Sequence, residues 1–167
     1  MMNLAHEEPR VWPGTIGPSL KAGAAAGLIG GLAMAAWMVG TAAMQGVSWT
    51  VPLQLLGAPV VGRVHLGTPA AAPVYGLALH LGVAALLGLL FGALLPHTRS
   101  AGLTLLLAVG YALVVMVIAT ALALPVVNPP LRAAVRTMPG SWVIGHLLFG
   151  AALALVPALR PRFSARL

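Results

Sequence analysis

The stretch Ser141–Ala158, SWVIGHLLFGAALALVPA, decides the fold. It carries no charged residue and is close to the ~20 apolar residues that a helix needs to cross a bilayer. Its one ionisable side chain is His146. Steps of four from that histidine reach Gly150, Ala154 and Ala158. Residues four apart share a helix face, so a histidine heads a stripe of small residues. Such stripes let membrane helices approach closely. The earlier stretch Tyr75–Gly92, YGLALHLGVAALLGLLFG, repeats the arrangement with His80, Ala84, Gly88 and Gly92. Both histidines are therefore expected to face protein rather than lipid.

Composition agrees with a membrane setting. Hydrophobic residues make up 60% of the 167-residue chain and charged residues 7%, against about 25% charged in soluble domains. No charge falls between Lys21 and Arg63, Arg63 and Arg99, Arg99 and Arg132, or Arg136 and Arg160. A soluble fold of this size has no core large enough to hide four such gaps. The chain is expected to be a multi-pass protein of the cell inner or plasma membrane, with the lipid bilayer as its first partner. The net charge of +7 does not point to nucleic acid. The basic residues are scattered at the ends of the apolar stretches, where they set topology and meet anionic headgroups.

Several chemistries are excluded. Cysteine is absent, which removes disulfides, thiolate metal sites and cysteine nucleophiles. The only acidic residues are Glu7 and Glu8 in the amino-terminal tail, so the apolar stretches hold no carboxylate relay and no catalytic carboxylate pair. No phosphate-binding or dinucleotide fingerprint is present.

Residues 1–18 read as a polar tail broken by Pro9, Pro13 and Pro18. They lack the short basic start and the 7–15-residue apolar core of a signal peptide. Residues 19–160 then form one transmembrane domain, with spans at about 20–45, 73–95, 101–124 and 141–159, and residues 161–167 form a basic tail. The first span carries a small-residue stripe of its own, Gly23, Gly27 and Gly31. Val51–Val61 is apolar but too short to span, and reads as an interfacial or re-entrant piece with Trp49 and Arg63 at headgroup level. Pro96 and Pro125 end the second and third spans. The first two spans and their connection echo the last two. The expected architecture is all-α: a polytopic four-helix bundle of two tandem hairpins, its packing faces formed by Gly23, Gly27, Gly31, Ala84, Gly88, Gly92, Gly150 and Ala154.

The pieces GHLLFGAALALV, HLGVAALLGLLFGALL and VPLQLLGAPV resemble a group of small, uncharacterised bacterial and archaeal four-helix membrane proteins. That resemblance covers most of the chain. It implies the same topology and no particular activity.

His80 and His146 are the leading functional candidates. The second and fourth spans run in the same direction, so the two imidazoles are expected at matching depth. Two readings follow. Each histidine can be structural, donating one hydrogen bond to a neighbouring helix, or the pair can ligate a haem iron axially or hold a related pigment. Met34, Met38 and Met44 follow one another along the first span. They read as adaptable core filling, although thioethers also suit Cu(I). Ser141 and His146 lie five apart on one helix and point apart, which argues against a serine hydrolase. His65, His97, Arg132 and Arg136 read as interfacial polar residues. The chain is therefore expected to be a non-catalytic accessory or structural subunit packing against other membrane subunits or its own copies. The alternative is a b-type haem or pigment electron carrier.

Lys and Arg are counted by side to give orientation. Arg10, Lys21, Arg99, Arg160, Arg162 and Arg166 lie on one side, and Arg63, Arg132 and Arg136 on the other. The positive-inside rule then puts both termini in the cytoplasm. Reporter fusions at either end should both give cytoplasmic signals; a periplasmic signal from the carboxyl end would reverse the assignment.

Overall fold

The computed structural model describes residues 16–61, 71–95 and 100–164, and these are helical with no strand among them. In chain order the elements are α1 (Ile16–Met44), α2 (Thr50–Val61), α3 (Ala71–Leu94), α4 (Ala101–Ile118), a π-helical turn (Ala119–Ala123), α5 (Leu124–Val127), α6 (Pro129–Thr137), α7 (Pro139–Leu153) and α8 (Val156–Ser164). Three helical stretches are long and apolar enough to cross a membrane: Ile16–Met44, Ala71–Leu94 and Ala101–Val127. A fourth results if α7 and α8, bent by 41° at a short break, count as one span.

Helix α1 is the centre. It packs against α3 on one side and against α7 and α8 on the other, and α4 joins through α7. The reason lies in its small residues, which line two faces. Towards α3, a Cβ built on Gly23 or Gly27 would collide with the carbonyl oxygen of Gly88 or Ala84, and one built on Gly31 would stand 2.7 Å from the Ala84 Cβ. Gly88 and Gly92 return the contact, meeting the Gly23 and Ser19 carbonyls. Towards α7, a Cβ on Gly30 would come within 2.8 Å of Phe149 and 3.1 Å of Ala152. Ala22 and Ala26 are fully buried in the same core, with Phe91, Phe149, Leu153 and Val156. Lipid tails are as apolar as these side chains, so close van der Waals contact holds the helices rather than a hydrophobic effect.

The last two helices meet in the same way. Gly150 lies against α4, where an added Cβ would come within 2.9 Å of the Val109 Cα. Ala154 is half-buried beside the main core. Helices α3 and α4, by contrast, have no extended backbone contact. Tyr111 bridges them, its hydroxyl donating to the Leu87 carbonyl at 2.9 Å and its ring 5.3 Å from that of Phe91.

Prolines account for the departures from the expected spans. The stretch expected to run unbroken over about 141–159 breaks at Ala154–Leu155. Pro157 has no N–H, and its ring would press on the Leu153 carbonyl four residues back, so the helix stops there and restarts at an angle. Ala158, expected on the His146 stripe, is consequently exposed. Pro125 does not stop the third span. The chain widens into the π turn just before it, with the Leu124 N–H reaching the Ala119 carbonyl five residues back. That adjustment relieves the same clash at Ala121 and lets the helix continue to Val127. α1 begins at Ile16, inside the stretch read as tail, and ends in a Schellman turn. There Gly46, at φ +73°, donates to Ala43 while Val47 donates to Ala42.

Val51–Val61 lies within α2, which packs along α3. A Cβ on Gly76 would collide with the Leu53 carbonyl, so the two backbones touch. Leu53 and Leu56 form a second core with Leu124, Leu131 and Val135. Buried Asn128 joins this end, its Nδ2 donating to the Leu55 carbonyl at 2.8 Å while its Oδ1 accepts from Leu131 N–H. Trp49 is exposed. Arg63, His65, His97 and Arg99 lie outside the described residues, as do most of the two tails.

Replacing Gly88 by Leu should force α1 and α3 apart and lower the stability of the solubilised protein by about 3 kcal/mol or more, the upper range for overpacking. Gly82, on the same helix with open space beside it, should accept Leu with little change in melting temperature. Equal melting of the two variants would mean that α3 does not rest on α1.

Candidate functional site

The two intramembrane histidines stand on opposite sides of α1 at nearly one level. His80 lies beside Gly31, and Gly145, next to His146, lies beside Met34. Both imidazoles line one cavity of about 120 Å3, closed in part by Met34, Ala84, Trp142 and Phe149 and bordered by Val115 and Ala119 of the α4 region. The cavity exists because α3 and α4 stand apart above the Tyr111 bridge.

Each ring is fixed by one hydrogen bond to a backbone carbonyl. His80 Nε2 bonds the Gly31 carbonyl on α1 at 3.0 Å, across the helix interface. His146 Nδ1 bonds the Trp142 carbonyl at 2.9 Å, one turn back on its own helix. A carbonyl oxygen only accepts, so the bonded nitrogen carries the proton in each case. The neutral rings then keep a lone pair on His80 Nδ1 and His146 Nε2. Trp142 also stands edge-on to His146, with ring centroids 4.6 Å apart. Its indole N–H donates to Thr120 Oγ1 at 2.9 Å, and Thr120 donates to the Met116 carbonyl at 2.7 Å. The π turn that accommodates Pro125 therefore also presents Thr120 to Trp142, and so helps hold the ring that borders His146.

A second cavity, about 210 Å3, lies nearer the α2–α6 end between α1, α2, α6 and α7. Met34 and Trp142 line both cavities and form the partition between them. Met38 and Met138 line this second space, and Gln45 Nε2 reaches the Met138 sulfur at 2.6 Å. Met44, grouped with Met34 and Met38 from sequence, is instead exposed, because the helix turn carries it to another face. Ser141 serves packing. Its hydroxyl accepts from the Trp37 indole at 3.0 Å and donates to Thr41 at 3.4 Å. No bond joins it to His146 among the described residues. On α6, Arg132 is half-buried and Arg136 exposed.

A haem held between the histidines would need both rings to turn a nitrogen to one iron, with a macrocycle between them. His80 Nε2 is engaged by Gly31. The cavity at about 120 Å3 is also smaller than the ~300–1,000 Å3 of ordinary small-molecule pockets. The residues as placed do not fit a macrocycle. Among the described residues no group of three His, Cys, Asp or Glu stands together.

Sequence reasoning found His80, His146 and the stripes, but missed Gly30, Thr120, Tyr111 and the bridging role of Trp142. The four-residue spacing of Trp142 and His146 was a usable signal; the approach of Thr120 was not, because it depends on the π turn. No family, curated protein or solved structure matches the chain, so the likeness carried by its apolar pieces assigns it to no family.

Trp142→Phe keeps the ring but removes the indole donor. It should cost about 0.6–1.5 kcal/mol, the usual worth of a hydrogen bond between membrane helices, and should leave the helix content seen by circular dichroism intact. An unchanged melting temperature would show that the Thr120 contact contributes nothing.

Proposed function

We propose that the protein is an accessory or structural subunit of the plasma membrane without a catalytic centre of its own. In this reading its spans form a four-helix bundle of two tandem hairpins with both termini in the cytoplasm. One observation carries the proposal: the polar side chains are spent on joining helix to helix. Trp37 reaches Ser141, Tyr111 reaches Leu87, Asn128 reaches Leu55, Trp142 reaches Thr120 and Arg160 reaches Leu95. Apart from the histidine pair, no set of polar groups converges on a space where a substrate would be turned over. Helix α1 uses two faces inside the chain, whereas α4 is attached chiefly through α7. Leu105, Leu106, Val114 and Val117 of α4 are exposed and are the surface left for other membrane helices. The b-type haem alternative has no observation in its favour beyond the shared cavity.

Two measurements test this. The gently solubilised protein should be colourless between 400 and 600 nm, about the region where haem absorbs, and a Soret band would restore the electron-carrier reading. The chain has no cysteine, so single cysteines placed at Leu106 and Val117 report contacts without background. In native membranes they should cross-link into a discrete adduct, whereas a cysteine at buried Ala112 should not. Monomer alone from both exposed positions would defeat the subunit reading.

A further inference from the structure

We propose that the cavity shared by the two histidines is a binding site for one Cu(I) ion, held by His80, His146 and the Met34 thioether. The inference is independent of the accessory role. Three donors face one small space: two imidazoles and one sulfur line the same cavity of about 120 Å3. Both rings are oriented as metal-ligating histidines commonly are, with one N–H given to a backbone carbonyl and the other nitrogen left with its lone pair. Neither of those free nitrogens has a hydrogen-bond partner among the described residues. The cavity has room for an ion but not for a large organic ligand.

The donor set selects the metal. A thioether with two neutral imidazoles is a soft, uncharged set, and soft sulfur ligands favour Cu(I). The surroundings select the charge. The described residues include no Asp or Glu, so a divalent ion would carry its full double charge into apolar surroundings without a counter-ion, whereas Cu(I) brings a single charge. Zn(II) in addition calls for four tetrahedral ligands, typically with thiolate or carboxylate among them. The neighbouring cavity supplies a way in. Met38 and Met138 line it, and Met34 belongs to both spaces, so thioethers mark a route from the α2–α6 end to the histidines.

The test uses the full chain in mild detergent, titrated anaerobically with Cu(I) against a chromophoric Cu(I) chelator. About one equivalent should be withdrawn from the chelator, and X-ray absorption should report nitrogen and sulfur neighbours together, as expected of a mixed His–Met site. Met34→Leu, which conserves volume, and His146→Gln should each weaken binding by at least about tenfold, equivalent to about 1.4 kcal/mol. Met44→Leu should bind as the unaltered protein does, and Zn(II) should not compete. Failure of the unaltered protein to withdraw Cu(I) would overturn the proposal. So would full affinity in Met34→Leu. Loss of binding only in Met38→Leu or Met138→Leu would move the metal to the neighbouring cavity and equally overturn it. Should His146→Gln fail to fold, Met34→Leu and the sulfur signal decide alone.

Discussion

Everything in this molecule depends on how closely the backbone of α1 approaches that of α3. In lipid, a helix gains nothing by hiding apolar side chains from an equally apolar solvent, so contact has to come from fit. Gly23, Gly27 and Gly31 on one side and Ala84, Gly88 and Gly92 on the other remove the side chains that would hold the axes apart. The approach also brings His80 within reach of the Gly31 carbonyl. The packing seam and the orientation of the first histidine are thus one feature.

The second side of α1 extends this logic. Gly30 and the buried alanines let α7 lie against the same helix, so the two histidine-bearing helices are held by a common neighbour rather than by each other. Met34 lies between them on α1 and closes the space left over. Helix α4 stays at a distance from α3, and only Tyr111 crosses the gap near the core. A bundle packed equally tightly on all sides would have had no cavity. The cavity is the geometric remainder of one very close seam and one loose one.

The helical spans and the packing stripes were legible because both are periodic features of composition. Apolar length marks a span, and small residues at a spacing of four mark a face. Shared depth of the histidines was legible for the same reason, since parallel spans with equal offsets put equal residues at equal levels. What was not legible came from prolines and from side chains acting across the fold. Pro125 and Pro157 each looked like terminators. One is absorbed by a widened turn and the other breaks a helix that then resumes, and the choice between these depends on the neighbouring helices. The second packing face of α1 was hidden in plain sight: Gly30 and Gly31 are adjacent, and adjacent residues on a helix serve different neighbours. Thr120 could be matched to Trp142 only once the turn that carries it was known.

The π turn at Ala119–Ala123 makes the chain sensitive to its own length. A π turn holds one residue more than the α-helical turn it replaces, and deleting a residue there would let the helix close into regular form. Everything beyond would then rotate by about 100° about the helix axis, the angle that one residue subtends. Asn128 would swing away from the Leu55 carbonyl and α6 from its seat beside α2. A single-codon deletion in an otherwise featureless run of alanine, threonine and leucine would therefore unseat a whole end of the protein. Most conservative exchanges in the same run would pass unnoticed, so this segment has its meaning in residue count more than in residue identity.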